Sequence, residues 1–531
     1  MTGAMTGLTG TATLTRFIVR RDRVRIVVWI AAIAVLVALM AASIKGLLPT
    51  QADLDQAAAA SKGNAAAIAF NGPAQGLNTV GGEVAFQAGA MGLVVVALMS
   101  VLMIGSLTRG EEESGRLELL RSLPVGSHGP TAAAALTVAA MNVAVGVLVT
   151  LGLLDQHLPL AGSVTFGMSF TLTGLVFAGV ALAAAQLTEN TRVVNGIAGA
   201  VLGASFLLRA VGDIGDGTLS WFSPIGWAQK SRPFAGERWW PFLPMLAATG
   251  CLVAATGVLA ARRDVGAGLV QPRPGRPTAS RWLGHPFGLA LRLQRGSLIG
   301  WSVGLLVTGL AYGSITNSVD SFVRNNKSLA DMLASAGGGS LTDSYLATSF
   351  GVLALVGTGF AVQSTLRLRT EELSLHAEPL LATPVSRRRW AISHLTVAFG
   401  GSLVVLTVAG LAVGAGYSFG GGGLTRLSGL IGAAVVYAPA MWLLVGLTVA
   451  LVGWAPRAAV ATWAVLAACL VIGLLGKVLK LPRWLTTLSP FQHVPQLPSA
   501  HLGVLPLVVL TAIAAVLTWA GLSGLRRRDI G

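Results

Sequence analysis

Twelve runs of roughly 18 or more apolar residues divide this 531-residue chain, and their length limits the fold more than any other feature of the sequence. A helix of about 20 apolar residues crosses the hydrocarbon core of a bilayer, where every backbone N–H and C=O must be satisfied within the protein. Barrel strands would instead read as alternating segments of about 10 residues. The first six runs predict spans at 26–44, 87–107, 130–153, 163–187, 193–211 and 240–261. Six more fall at 298–316, 346–366, 391–417, 425–452, 457–476 and 502–525. The sequence therefore predicts an all-α polytopic membrane protein with twelve transmembrane helices, in keeping with its mean hydropathy of +0.72. The first run follows the basic stretch "RFIVRRDRVR" and is longer than the core of a cleavable signal, so it reads as a retained span.

Charge sets the orientation. The chain has 37 Lys and Arg against 21 Asp and Glu, a surplus that would point to nucleic acid in a soluble protein. Here the basic residues flank apolar runs, where they fix the cytoplasmic face against anionic lipid, and no nucleic-acid partner is expected. Arg20, Arg21, Arg23 and Arg25 precede the first span, Arg262 and Arg263 follow the sixth, and Arg526, Arg527 and Arg528 follow the twelfth. Both termini are thus expected in the cytoplasm. Residues 262–281, rich in Pro, Gly and Arg, read as a cytoplasmic linker between two halves, 1–270 and 271–531. Longer external segments, 45–86 and 317–345, follow the first span of each half, and shorter ones, 220–240 and 485–501, precede the last. Cys251 and Cys469 lie inside apolar runs, so neither a disulfide nor a metal site is expected.

The two halves echo each other. The stretch "TRGEEESGRLELLRSLPVGS" at 108–127 has a counterpart, "LRTEELSLHAEPLLATPVSR", at 368–387. A shift of 260 places Arg109 on Arg369, Glu111 on Glu371, Glu112 on Glu372, Glu118 on Glu378, Leu120 on Leu380 and Pro124 on Pro384. Acidic residues are scarce in this chain, so three aligned acidic pairs exceed what chance supplies. Trp29 with Trp301, Ser223 and Pro224 with Ser489 and Pro490, and "RRDVG" with "RRDIG" agree after small changes in loop length. An even number of spans per unit makes the expected architecture two parallel six-helix repeats related by an axis along the membrane normal.

Both charged stretches lie between spans two and three, on the expected cytoplasmic side. Helical spacing pairs Glu112 with Arg116 and Glu372 with His376 at i,i+4, and sets Leu117, Leu120 and Leu123 on one apolar stripe. Pro124 and Pro384 are expected to stop these helices. A short charged helix held at the membrane surface is suited to receive force from a cytoplasmic partner. Ahead of each half, 14–29 and 285–301 mix Arg with bulky apolar residues, as an interfacial helix or a simple basic anchor would.

Paired glutamates, a Leu-rich turn and then "LPV" or "TPV" after the second span resemble the coupling-helix region of type-2 ABC exporter permeases. The duplicated twelve-span arrangement is similar to the bacterial branch that exports polyketide antibiotics, the tetronasin-type permeases. The resemblance implies coupling roles for Arg109, Glu111, Glu112, Arg116, Glu118 and Pro124, and for Arg369, Glu371, Glu372, Glu378 and Pro384. It implies a cytoplasmic-membrane location and a separate ATP-binding cassette subunit, used twice, that binds ATP and Mg. No cofactor is expected in this chain itself. Consistently, no G-x-x-x-x-G-K-[ST] occurs; the nearest fragment, "GLLGKVLK" at 473–480, lacks the spacing and the hydroxyl.

The competing expectation is a proton-coupled twelve-span secondary multidrug antiporter, which also uses two parallel six-span repeats. Such coupling needs ionisable groups within spans, and the expected spans hold few: Arg209 and Asp213 near the end of the fifth and His394 near the start of the ninth. An enzyme is not expected, for want of a His cluster, paired span carboxylates or a nucleophile motif. The Ala, Gly, Val, Leu, Met and Phe that dominate the spans predict a hydrophobic or amphipathic cargo. Asn142, Gln186, Asn195, Gln363 and Tyr437 are polar span residues, of the kind that more often bond a neighbouring helix than a ligand.

Overall fold

A computed structural model of the chain describes residues 7–62, 65–115, 125–262, 268–270, 277–324, 341–418, 423–475 and 482–528. Among them the fold is all-helical, with twelve helices long and apolar enough to cross a membrane, one for each expected run. The protein is a multi-pass membrane protein. Most of the expected linker, and Arg116, Glu118 and Pro124, lie outside the described residues. The chain forms two compact units, Met1–Pro274 and Gly275–Gly531.

In the first unit, α1 (Thr11–Arg21) and α2 (Arg23–Leu47) are separated by a break at Asp22. Two short helices, α3 (Gln51–Ser61) and α4 (Ala65–Asn71), follow in the connection to the second span, and Thr50 caps α3 reciprocally with Asp53. Then come α5 (Val80–Leu107), α6 (Arg109–Glu113), α7 (Gly129–Asp155), α8 (Leu160–Leu187), α9 (Thr191–Ile214), α10 (Pro224–Lys230) and α11 (Phe242–Ala261). The centre of the unit is α8, packed on α5, α7, α9 and α11. Its glycines permit this: a Cβ at Gly167 would lie 2.4 Å from the Gly146 carbonyl oxygen of α7. Phe166 and Phe170 meet edge to face in the core. Arg209, fully buried, donates to the Phe70 carbonyl at 3.2 Å and so ties α4 to α9.

The second unit comprises α12 (Pro286–Arg324), α13 (Leu341–Leu373), α14 (Ala377–Leu381), α15 (Arg387–Tyr417), α16 (Leu427–Val435), α17 (Ala438–Trp454), α18 (Thr462–Leu475), α19 (Arg483–Thr486) and α20 (Val504–Arg527). Here only a four-residue 3-10 turn, Arg281–Gly284, precedes the first span among the described residues; α12 runs unbroken for 39 residues and packs along α15. The run expected as one span at 425–452 is interrupted between α16 and α17, because Pro439 offers no N–H and its ring crowds the preceding turn. The pair α17 and α20 approaches closely through Gly446, Gly453, Gly521 and Gly524, and a Cβ at Gly521 would fall 2.4 Å from the Val449 backbone. Gly521→Leu is therefore expected to cost about 1–3 kcal/mol. Thermal unfolding in detergent checks it: a midpoint unchanged from that of Ala512→Leu, an exposed control on α20, would refute the close-packing account.

Candidate functional site

The matched charged residues sit at the end of the second span of each unit. In the first, α5 passes through Thr108 into α6, after which Gly115 at φ +70° turns the chain away. In the second, α13 carries Arg369, Glu371 and Glu372 on its last two turns, and Leu375 at φ +59° ends it. These turning residues are themselves 260 apart. The glutamates therefore belong to the end of span two; in the second unit they are not part of a surface helix running on to His376, and in the first the expected continuation through Arg116 and Leu123 lies outside the described residues. Nor do Glu372 and His376 pair. With the helix finished at Leu373, His376 Nδ1 lies 2.8 Å from Ser374 Oγ and 3.9 Å from Glu371 Oε2. The helix that follows is α14, with Glu378 exposed in its first turn; it stops at Leu381, ahead of a turn containing Pro384.

In the first unit the cluster is built around Arg109, 1% exposed. Its Nη1 pairs with Glu112 and its Nε donates to the Ala185 carbonyl at 2.6 Å. Ala185 lies in the last turn of α8, where carbonyls lack intrahelical donors and the helix end is negative, so the guanidinium serves as a cap. Glu113 Oε1 accepts the backbone N–H of Thr191 at 2.7 Å, placing a carboxylate at the positive end of α9. Glu111 pairs with Arg21 of α1 at 3.1 Å, and Arg25 of α2 donates to Ser106 at 2.7 Å. One stretch of five residues thus fastens the end of span two to α1, α8 and α9.

The second unit reaches a similar result with different residues. Arg369 Nη1 donates to Glu372 at 2.8 Å, repeating the i,i+3 pair of Arg109 and Glu112. The cap on the fourth span comes from elsewhere: Arg528, beyond the end of α20, pairs with Glu372 and donates to the Val452 carbonyl, 3.3 Å away in the last turn of α17. Arg387 at the start of α15 holds the Arg528 carbonyl at 2.7 Å. Arg367 Nη2 approaches Glu371 Oε1 to 2.6 Å, off the hydrogen-bonding axis. Beside this cluster a buried ladder runs from Ser364 through Gln294 to His394, whose Nδ1 lies 3.1 Å from Gln294 Nε2.

Arg21, Glu113, Ala185, Thr191, Arg367, Val452 and Arg528 are the participants that spacing did not reveal. Only the echo between "RRDVG" and "RRDIG" marked Arg528 as more than a basic flank. The polar span residues behave as helix bonding predicts at three positions: Asn142 bonds Ser100 between α7 and α5, Gln363 accepts from Trp301 Nε1 at 2.7 Å, and the Tyr437 hydroxyl donates to the Ala347 carbonyl of α13 at 3.5 Å. Glu83 is a further finding, because span two begins at Val80 and not at 87. Its side chain is 3% exposed, one oxygen accepts from Gln87 at 2.6 Å, and the other has no hydrogen-bond donor among the described residues. The two clusters are charge-assisted hydrogen bonds that join helix ends into rigid groups.

The family described as "Multidrug efflux system permease Rv1217c, C-terminal domain" matches residues 283–526. The multidrug efflux system permease protein Rv1217c of Mycobacterium tuberculosis is 41% identical over 527 residues, covering 99% of this chain and 96% of that protein. An alignment of that extent, on a chain with twelve apolar spans, leaves one conclusion: the chain belongs to the family of multidrug efflux system permeases.

Proposed function

We propose that the chain is the membrane subunit of an ATP-driven exporter that moves hydrophobic or amphipathic compounds out across the cytoplasmic membrane. Two copies of a separate ATP-binding cassette subunit supply the energy, each engaging one charged cluster from the cytoplasm. The observation that carries this reading is the same Arg-x-x-Glu pair at the same end of the second span in each half, tied in each to the last turn of the fourth span. A push on the loop after span two is then delivered to several spans together.

Within this reading the residues divide by role. Glu111, Glu112, Glu371 and Glu372 are engaged inside the chain and position the span ends, whereas Glu378 is exposed on α14 and faces the partner. By the sequence repeat, Glu118 and Pro124 match Glu378 and Pro384, and with Arg116 they are assigned the same role in the first half. One observation favours a second reading, proton-coupled antiport: the buried Glu83 carboxylate in span two. Proteoliposomes holding the permease and its partner separate the two. ATP without a proton gradient is expected to drive dye uptake into inside-out vesicles, and Glu83→Gln is expected to retain it. Uptake that follows an imposed gradient, ignores ATP and vanishes in Glu83→Gln would select the antiporter.

A further inference from the structure

Five arginines gather at the basic end of the second unit, and they divide into two kinds. Arg387 and Arg528 are spent on the protein itself, one on a backbone carbonyl and the other on Glu372 and Val452. Arg388, Arg526 and Arg527 are exposed, and no carboxylate pairs with any of them among the described residues. These three line a groove with Trp454, Trp519 and Ser523.

The groove's walls follow from the glycine contacts of α17 with α20. Close approach brings Trp454 and Trp519 to neighbouring positions near the ends of their helices, and Trp454 Nε1 donates across to the Ala520 carbonyl at 2.8 Å. Their side chains remain 58% and 70% exposed. Exposed indoles of this kind suit the headgroup level of a bilayer, where the ring meets acyl chain and the N–H meets a polar layer. The three guanidiniums lie at the ends of α15 and α20 on the same side, at the level where phosphate groups would stand.

We infer that this groove binds the headgroup of an anionic phospholipid: Arg388, Arg526 and Arg527 hold the phosphate, and Trp454 and Trp519 flank the glycerol and upper acyl chains. Arginine suits the task, since its planar fork matches phosphate oxygens in bidentate fashion. The bound lipid would sit one residue from Arg528, and so beside the clamp on Glu372.

The test is lipid retention by the purified full-length permease, after exchange into nanodiscs of mixed phosphatidylcholine and phosphatidylglycerol, read by native mass spectrometry. Wild type is expected to enrich phosphatidylglycerol, and each arginine replaced by glutamine is expected to lower the enrichment about fivefold. R388Q/R526Q/R527Q is compared with R16Q/R20Q/R23Q, which removes the same charge from the first unit. Loss confined to the groove variant supports the site. Equal loss in both variants, or none in the groove variant, overturns it. Should the triple variant fail to insert, the three single glutamine variants and Trp519→Ala are read by the same criterion.

Discussion

Arg109→Met is expected to destabilise the first unit by about 3 kcal/mol, Glu112→Leu by nearer about 5 kcal/mol, and the double replacement by less than either. The order follows from burial. Arg109 is 1% exposed, so losing Glu112 strands a charge that water cannot reach. The Glu112 side chain is 15% exposed and recovers some hydration when the arginine is gone. Replacing both removes the stranded charge, so that the remaining cost is the lost bond from Arg109 to the Ala185 carbonyl. Thermal unfolding of the four proteins in one detergent forms the double-mutant cycle. Additive losses would mean that the pair is not coupled and that Arg109 stabilises the unit without help from Glu112.

Glu378→Arg is expected to lower drug-stimulated ATP hydrolysis by the partner subunit on the order of tenfold, through like-charge or lost-charge contact, while leaving the unfolding midpoint of the permease unchanged. Glu372→Gln should show the opposite balance. It weakens the bonds to Arg369 and Arg528, so the midpoint falls first and coupling suffers as the end of span two loosens. Measuring both quantities on both variants separates a contact residue from a positioning residue. If Glu378→Arg supports normal stimulated hydrolysis, α14 is not where the partner docks.

The spans were legible because bilayer thickness imposes one length scale on every crossing helix, and each of the twelve runs meets it. Ends were less so: Glu83 was read as part of an external loop, since a carboxylate breaks an apolar run whether or not the helix continues through it. The charged stretches fall between spans two and three, as their spacing predicts, but in the second unit the helix does not continue from Glu372 through His376. Periodicity carries a helix forward until a Pro or Gly stops it, and it cannot see Leu375 adopt a left-handed conformation. The partners of the clamp were hidden for a different reason. Arg528 reaches Glu372 across 156 positions, and a backbone carbonyl such as that of Ala185 or Val452 has no side-chain signature at all.

The unbroken α12 has a mechanical meaning. At 1.5 Å per residue its 39 residues extend for about 58 Å, well beyond a hydrocarbon core of about 30 Å. Such a rod must tilt or project past the bilayer, and it has no joint along its length to absorb a displacement. A movement imposed near Pro286 arrives at the far end as a swing of the whole lever. In the first unit, by contrast, a break at Asp22 separates α1 from α2. Two halves whose sequences echo one another thus enter the membrane differently, one through a single long rod and the other through a jointed pair.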